Sequence, residues 1–300
     1  MTFAHISTRP ITPIHLTSRA CLLLLNCQFG YRDLAAWSSS TPPSVSNPAF
    51  DTNITALLAS FRSAQAKHTD PADRPLIIHV QTRPVWTDHP LHVSKVGPWA
   101  AEVNPATGER AEVRNIDFLE CAIPYTKDWR TGEFGFCKSF DEPDMDTWVP
   151  PPPDTNAPLR TEIISTSHTH SVWINTPLEK MLKDRRIRTL IIAGMSLEGT
   201  ISTAVRMAHD LALTGKFCDI GNEEDADSRE LQTDGVTVFV KDKEGKELVN
   251  MTRIVLVGDA TQAYGTADAA AEIVHKVHLN SLREFAEIRE TSEVLSAFLS

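Results

Sequence analysis

The segment RTLIIAGMSLEGTISTAVRMAHDLAL, residues 188–213, predicts the architecture of this chain. Residues 188–194 form a short, apolar, β-branched run, which indicates a buried strand. From about Ile201 to Leu213 the apolar residues have helical spacing. The backbone amides of a new helix point at whatever reacts at such a strand-to-helix turn. Ser196, Glu198 and Thr200 in the turn are therefore candidate functional residues.

The same alternation of strand and helix extends along the chain. Further buried strands are predicted at 21–27, 75–82, 161–167 and 253–263, and further helices at 47–66, 176–186 and 269–288. Strands that alternate with helices of this length imply βαβ units. We therefore predict one α/β domain over residues 1–300, with a parallel sheet of about six strands and helices on both faces.

Two stretches interrupt the alternation and are predicted to be insertions. One spans about 94–158 and is rich in Pro, Trp, Asp and Gly; the other spans about 216–251 and contains the acidic run NEEDADSRE. Within the second, GVTVFVKDKEGKELV favours a hairpin around Glu244 and Gly245. Long loops in a compact domain are either functional lids or mobile surface, and the sequence leaves both alternatives open.

Composition restricts the class of partner. The chain has 300 residues, 41% of them hydrophobic, and a formal net charge of -10 without a block of Lys or Arg. Nucleic acid and anionic membrane surfaces are therefore not expected as partners, and a small-molecule metabolite is. The five cysteines are scattered and lack CxxC spacing, which is typical of a reducing compartment. No run approaches the roughly 20 apolar residues of a membrane span, so we predict a cytoplasmic protein.

Several motifs together resemble the isochorismatase-like cysteine hydrolase superfamily. LLLLNCQFGY (22–31) resembles its first strand, and HSVWINTPLEKML (170–182) a later segment of the family. The opening segment resembles the motif that carries the family's nucleophile, and VLVGDATQAYG (255–265) resembles the final strand. The resemblance covers most of the core, and the two insertions are where the chain departs from it.

The resemblance implies a hydrolytic Asp, Lys and Cys, but all three positions are replaced here. The Asp position falls on Asn26, the Lys position on Ser167 and the Cys position on Thr200. An asparagine amide cannot accept a proton at neutral pH, and serine supplies no positive charge. A threonine hydroxyl, unlike a thiol, needs an adjacent base to become a nucleophile. Cysteine-dependent hydrolysis is therefore not expected.

Two other residues are candidates for acid–base chemistry. Glu198 occupies the family's Asp position two residues before the nucleophile, and it is either a structural hydrogen-bonding group or a repurposed general base. His170 follows the end of a predicted strand and could titrate near physiological pH; the alternative is a surface or core histidine. For substrate binding we assign Gln28, Trp86, Trp173 and Ser196. The alternative for a tryptophan is core packing.

No metal and no cofactor is predicted. The segment WTDHPLHV (86–93) offers Asp88, His89 and His92, but it lacks the Asp-x-His spacing of metal-binding nicotinamidases within the family. A homo-oligomer is expected from the resemblance, and the alanine-rich stretch at 269–282 is a candidate contact face. Packing within one chain is the alternative.

Three functions remain open at this stage. The first is an isochorismatase-like enzyme that acts on a small metabolite, with cyclic or aromatic compounds considered, by non-standard chemistry such as cyclisation or isomerisation, in a setting of secondary metabolism. The second is a catalytically silent pseudoenzyme that binds a ligand or partner. The third is a weak hydrolase that uses Thr200, Glu198 or His170.

Overall fold

A computed structural model describes residues 14, 19–89, 91–92, 98–103, 110–127, 134–136, 161–217, 230–233, 238–241 and 252–297. The strands are β1 (Ala20–Leu25), β2 (Leu76–Thr82), β3 (Pro98–Val103), β4 (Arg110–Arg114), β5 (Tyr125–Lys127), β6 (Phe134–Phe136), β7 (Glu162–Ser167), β8 (Thr189–Met195), β9 (Glu230–Thr233), β10 (Val238–Lys241), β11 (Arg253–Gln262) and β12 (Glu287–Arg289). The α-helices are α1 (Leu34–Trp37), α2 (Phe50–Ala66), α3 (Leu178–Asp184), α4 (Ser202–Leu213), α5 (Ala271–Leu282) and α6 (Thr291–Ser296). No helix among these is long and apolar enough to cross a membrane.

Six strands form one parallel sheet in the order β12-β11-β8-β1-β2-β7. This confirms the predicted six-stranded α/β fold. Because every strand runs in the same direction, all six carboxyl ends lie along one edge, where open α/β sheets bind ligands.

The central strand β1 shows how the sheet divides the core. All six of its residues are buried, and successive side chains point to opposite faces of the sheet. Cys21, Leu23 and Leu25 join the cluster that packs under α3, α4 and α5. Leu22 and Leu24 join the second cluster, which contains residues of α2 and α6. A strand buried on both faces reads as a continuous apolar run, as this one does.

A glycine at the end of β8 sets the distance between the two central strands. Gly194 has a φ of +127°, and a Cβ built there would lie 2.0 Å from the backbone oxygen of Leu25. Only glycine therefore permits this close approach. It brings the turn after β8 beside the residues that follow β1.

The last predicted helix is shorter than expected. The pattern predicts a helix over 269–288, but α5 ends at Leu282 and the chain then forms the edge strand β12. The carboxylate of Glu287 accepts two hydrogen bonds from Arg253, both at 2.7 Å. Pairing with β11 therefore overrides the helical pattern, since the apolar residues at this point serve a sheet edge.

The described part of the first insertion lies against the sheet. Residues 115–119 run antiparallel to the segment that follows β1, with the amide of Leu119 donating to Cys27 O at 2.9 Å and that of Gly30 to Asn115 O at 2.8 Å. Ile116 and Phe118 are buried. This part of 94–158 is thus core rather than surface loop.

The second insertion is described only in part. β10 pairs antiparallel with the preceding strand, β9. The turn predicted at Glu244 and Gly245, and the strand expected after it, lie outside the described residues.

Candidate active site

The carboxyl edge of the sheet brings four neutral residues to neighbouring strand ends. Asn26 follows β1, Thr82 ends β2, Ser167 ends β7, and Thr200 follows β8. Thr82 and Ser167 are partners in the strand register. All four are buried, although they come from distant parts of the sequence.

Asn26 occupies the centre of this group. Its φ of 54° lies in the left-handed region, which asparagine tolerates better than most residues. Its amide N–H donates to Val80 O at 2.9 Å. Its Nδ2 donates to Thr200 Oγ1 at 3.0 Å. The two positions to which the resemblance assigns the family's base and nucleophile are therefore in direct contact.

Two further residues, Tyr31 and Thr82, complete a hydrogen-bonded group that we call the neutral network: Asn26, Tyr31, Thr82 and Thr200. Asn26 Nδ2 also donates to Tyr31 Oη at 2.9 Å, and Thr82 Oγ1 donates to Asn26 Oδ1 at 2.5 Å. The Tyr31 hydroxyl interacts with the hydroxyls of Thr82 and Thr200, and burial is the main reason that its pKa is raised. Tyr31 therefore remains protonated and neutral.

Sequence reasoning missed both of these residues. Thr82 carries a usable signal, since it is the last residue of a predicted parallel strand and so had to lie at the carboxyl edge. Tyr31 carries a weaker one. It lies in a short 3₁₀ turn, Phe29–Arg32, whose course back toward the strand end is a tertiary feature.

Ser167 is buried, but its hydroxyl serves its own loop. Ser167 Oγ donates to Thr169 O at 2.9 Å and to Ser171 O at 3.3 Å. It makes no side-chain hydrogen bond to Asn26 or Thr200 in the described part of the chain. The third predicted position thus shapes the loop after β7.

The turn that carries Thr200 is one π-helical turn, Leu197–Ile201, and it leads directly into α4. Ser196 precedes it; its peptide bond to Met195 is cis. Ser196 is buried, and its backbone oxygen accepts a hydrogen bond from the Ile201 amide at 3.0 Å. Ser196 therefore helps to hold the turn in shape.

Glu198 is the ionisable group of this turn. Burial raises its pKa to about 7, although its own backbone and that of Tyr264 donate hydrogen bonds that act in the opposite direction. Its Oε2 is buried and has no hydrogen-bond partner among the described residues. Glu198 also acts electrostatically on Tyr31. A carboxyl group with a pKa near neutrality can both give and take a proton at physiological pH.

Gln28 has a side chain that is committed to the backbone. Its Nε2 donates to Thr82 O at 3.2 Å and to Ile116 O at 3.1 Å, and its Oε1 accepts from the Thr82 amide at 2.8 Å. The side-chain amide of Gln28 thus joins β2 to the described part of the first insertion. Gln28 therefore supports the site from behind, and its side chain has little left to offer a ligand.

An aromatic wall extends outward from Tyr31. Trp37 stacks on Tyr31 with ring centroids 4.5 Å apart, and His89 lies 5.4 Å from Trp37. Trp86 lies 5.5 Å from His89 and 5.4 Å from His170. His170 is exposed and Trp86 is partly exposed. Two sequence candidates are therefore placed together at the outer end of this wall.

Trp173 lies in the hydrophobic core. Its indole N–H donates to Ala204 O at 3.0 Å, and its ring stacks on Phe217 at 5.2 Å. It is 7% exposed. The packing alternative for this tryptophan describes the structure better than substrate binding does. Among the described residues there is no group of three or more His, Cys, Asp or Glu side chains that could hold a metal ion.

A family model for the isochorismatase domain matches residues 20–214, well over half of the chain. The chain belongs to the isochorismatase family. This confirms the resemblance that the sequence motifs indicate.

Solved structures agree with the isochorismatase fold. An isochorismatase-family protein from Chromobacterium violaceum is 15% identical, with a TM-score of 0.52, 96% of this chain and 97% of that chain covered. A cysteine hydrolase from Pseudomonas syringae pv. phaseolicola is 16% identical, with a TM-score of 0.52, 98% of this chain and 99% of that chain covered. At such identities the likeness concerns the fold alone.

Within this isochorismatase-family fold, the arrangement can hold and polarise an oxygen atom and can move a proton. Hydroxyl and amide donors of the neutral network are fixed at the carboxyl edge, and Glu198, which acts electrostatically on Tyr31, has a pKa near neutrality. A thiolate is absent from the network, whose members are neutral.

Proposed function

We propose that this isochorismatase-family chain acts on a small metabolite by acid–base chemistry without a covalent nucleophile, and that the reaction is an isomerisation or cyclisation. The hydrogen bond from Asn26 Nδ2 to Thr200 Oγ1 carries this proposal. It supports a site in which the nucleophile position accepts a hydrogen bond and has no hydrogen-bonded base among the described residues.

Thr200 is unsuited to attack a carbonyl carbon. A hydroxyl nucleophile needs a base within hydrogen-bond reach to take its proton. Its partner here is an amide N–H, which donates to the hydroxyl oxygen and withdraws electron density from it. Tyr31, the other neighbour, has a raised pKa and is a poor base. This weighs against a hydrolase that uses Thr200.

Glu198 supplies the acid–base function in this proposal. General acid–base catalysis is most efficient when the pKa of the group is close to the working pH, and burial brings Glu198 to about 7. Its Oε2 has no hydrogen-bond partner among the residues that the structure describes, so it can take a proton from a ligand. Exchange of a proton between two positions of one substrate conserves its mass, which is the chemical signature of isomerisation and cyclisation.

The test is to incubate purified protein with a metabolite extract and follow the mixture by mass spectrometry. We expect a precursor and a product of equal mass, and loss of turnover by about 10²-fold or more in Glu198→Gln. Glu179→Gln is the matched control, since Glu179 is partly exposed and its carboxylate lies 3.6 Å from Lys216 Nζ, outside the site. A product that has gained water, or full turnover in Glu198→Gln, contradicts the proposal.

One observation favours a second candidate, a silent ligand-binding protein. The Asn26 side chain is fully buried and its oxygen and nitrogen both already have partners within the chain. A site that satisfies itself in this way needs no substrate to complete it. If compounds from the extract raise the melting temperature but none is converted, this second function is the correct one.

A further inference from the structure

We propose that the hydroxyl groups of Tyr31 and Thr200 form a pair of hydrogen-bond donors for one oxygen atom of the substrate, and that the substrate is an enolisable carbonyl compound. This inference deepens the proposed function and rests on it for the role of Glu198. In it Tyr31 and Thr200 are catalytic residues, and Asn26 is a positioning residue that acts through them.

The orientation of the Asn26 amide fixes the positions of the two hydroxyl oxygen atoms. Its oxygen accepts from Thr82 Oγ1 at 2.5 Å, which leaves its nitrogen directed at the two other hydroxyls. The nitrogen donates to Tyr31 Oη at 2.9 Å and to Thr200 Oγ1 at 3.0 Å. Both N–H donors of one amide are thus used, and the two oxygen atoms they reach are held as neighbours.

The hydroxyls of Tyr31 and Thr200 each keep a hydrogen that can be donated. Each oxygen accepts from Asn26, so each keeps its own O–H hydrogen to donate. The Tyr31 hydroxyl contacts those of Thr82 and Thr200. A hydroxyl hydrogen rotates to suit its partner, so the hydrogens of Tyr31 and Thr200 can turn from these contacts to an incoming oxygen atom. The Thr82 hydrogen is committed to Asn26 and takes no part.

The two donors belong to a group of uncharged side chains. The neutral network contains no carboxylate and no ammonium group, and its members are buried: Asn26 0% and Tyr31 2% exposed. Fixed dipoles in a buried site stabilise developing negative charge much more strongly than water-exposed donors do. Because none of these four residues carries a positive charge, the site suits an oxyanion with delocalised charge, such as an enolate or a phenolate.

The reaction follows from this geometry together with Glu198. The carboxylate of Glu198 takes a proton from the carbon next to the carbonyl group. The electron pair of the broken C–H bond forms a C=C bond, and the carbonyl π pair moves to the oxygen held by Tyr31 and Thr200. Return of the proton at another carbon gives an isomer. Alternatively, the enolate carbon attacks a second carbonyl carbon of the same molecule and forms a ring. The π pair of that second carbonyl then moves to its oxygen, which takes the proton back from Glu198, and the first C=O bond is restored. Mass is conserved in both cases.

The test measures binding of an oxyanion probe rather than turnover. 4-Nitrophenolate is compared with nitrobenzene, which has the same ring but lacks the oxygen anion, by calorimetric titration above the pKa of the phenol. All measurements are made in the Glu198→Gln background, so that the carboxylate charge does not repel the probe. We expect the protein to bind 4-nitrophenolate and the added Tyr31→Phe and Thr200→Val changes each to weaken that binding about tenfold or more.

The controls separate loss of a donor from loss of shape. Nitrobenzene affinity should stay within about twofold in both variants, since its binding uses no hydroxyl donor. Thr200→Ser keeps the hydroxyl and should retain 4-nitrophenolate affinity within about threefold. Tyr125→Phe makes the same chemical change at an exposed tyrosine and should have no effect.

Three results would overturn the inference: no binding of 4-nitrophenolate, unchanged binding in both variants, or an equal loss for the two probes. Thr200→Val keeps the inference testable if Tyr31→Phe fails to fold. These failures are distinct from failure of the proposed function, which depends on loss of turnover in Glu198→Gln and not on the affinity for an oxyanion.

Discussion

Asn26 Nδ2 lies 3.0 Å from Thr200 Oγ1, although the two residues are 174 positions apart in the sequence. The resemblance places the family's Asp at the first position and its Cys at the second. A base and a thiol would exchange a proton across this distance, whereas an amide and a hydroxyl share a neutral hydrogen bond.

Thr200→Cys should not create a working cysteine hydrolase. The Asn26 amide cannot take the thiol proton, so the new thiol should keep a pKa at or above its usual value of about 8.5. The measurement is the pH dependence of iodoacetamide labelling at position 200, read by peptide mass spectrometry, alongside release of 4-nitrophenol from 4-nitrophenyl acetate. Asn26→Asp/Thr200→Cys, which adds a base at 26, is the comparison variant. Rapid labelling below about pH 7 in the single variant would show that the mapping of the two positions is wrong.

Thr82→Val should destabilise the fold by about 1–3 kcal/mol, since it leaves the buried Asn26 Oδ1 without its donor. Urea unfolding at neutral pH gives the difference. Thr82→Ser keeps the hydroxyl and should stay within about 1 kcal/mol of the wild type. The backbone bond from the Thr82 amide to Gln28 is unaffected in both variants. Equal stability of the Val and Ser variants would mean that this hydroxyl does not orient Asn26.

Glu198→Gln should stabilise the protein at alkaline pH. Burial raises the pKa of Glu198 to about 7 in the fold from 4.5, so the unfolded chain gives up this proton first as pH rises. Wild-type stability is therefore complete below about pH 4.5 and falls until about pH 7. The variant should gain up to about 3 kcal/mol near pH 8 and almost nothing near pH 4.5. Thermal unfolding at both pH values measures this, and a gain of equal size at the two would contradict it.

Glu162→Gln should destabilise the protein strongly at neutral pH. Burial by itself would raise the pKa of Glu162, but hydrogen bonds from His79 and Arg62 lower it to about 2. Arg62 and the Tyr125 amide also join this carboxylate to the first insertion. Loss of one partner of a buried ion pair costs about 3–5 kcal/mol.

The sign of the pH effect separates this ion pair from simple packing. A lowered pKa gives stability that is present above about pH 4.5 and is lost as pH falls through about 2. The difference between wild type and Glu162→Gln, from urea unfolding, should therefore shrink between about pH 7 and pH 3. Glu179→Gln, at a partly exposed pair, should change stability by at most about 1 kcal/mol at either pH. A difference that stays constant across this range would rule out ionisation of Glu162 as its cause.

The sheet was predictable because its strands are unusually apolar. The run at 21–27 and the opening segment at 188–194 are buried on both faces, so their sequences are continuous hydrophobic runs that leave little ambiguity. The short strand Glu287–Arg289 was not predictable, since its three residues continue a helical pattern. Its pairing with β11 depends on Arg253, which lies far away in the sequence.

The candidate site was predictable only at the positions that a motif marks. Asn26 and Thr200 lie at fixed distances from recognisable strand and helix ends, and the structure brings them into contact. Tyr31 reaches the site because of the way in which a short turn folds, which is a tertiary feature. Trp86 and Trp173 look alike in the sequence, yet one lies at the outer end of the aromatic wall and the other packs on Phe217 in the core.

The sequence by itself determined the alternation of strands and helices, the parallel direction of the sheet and the neutral residues Asn26, Ser167 and Thr200 at the positions where the resemblance implies a base, an amine and a thiol. These properties depend on local residue type and spacing. Only the tertiary structure decided that Asn26 donates to both Tyr31 and Thr200, that Ser167 turns to its own loop, and that the Oε2 atom of Glu198 is buried. Hydrogen-bond partners and burial are set by segments that are distant along the chain, and a linear pattern of residues does not encode their mutual orientation.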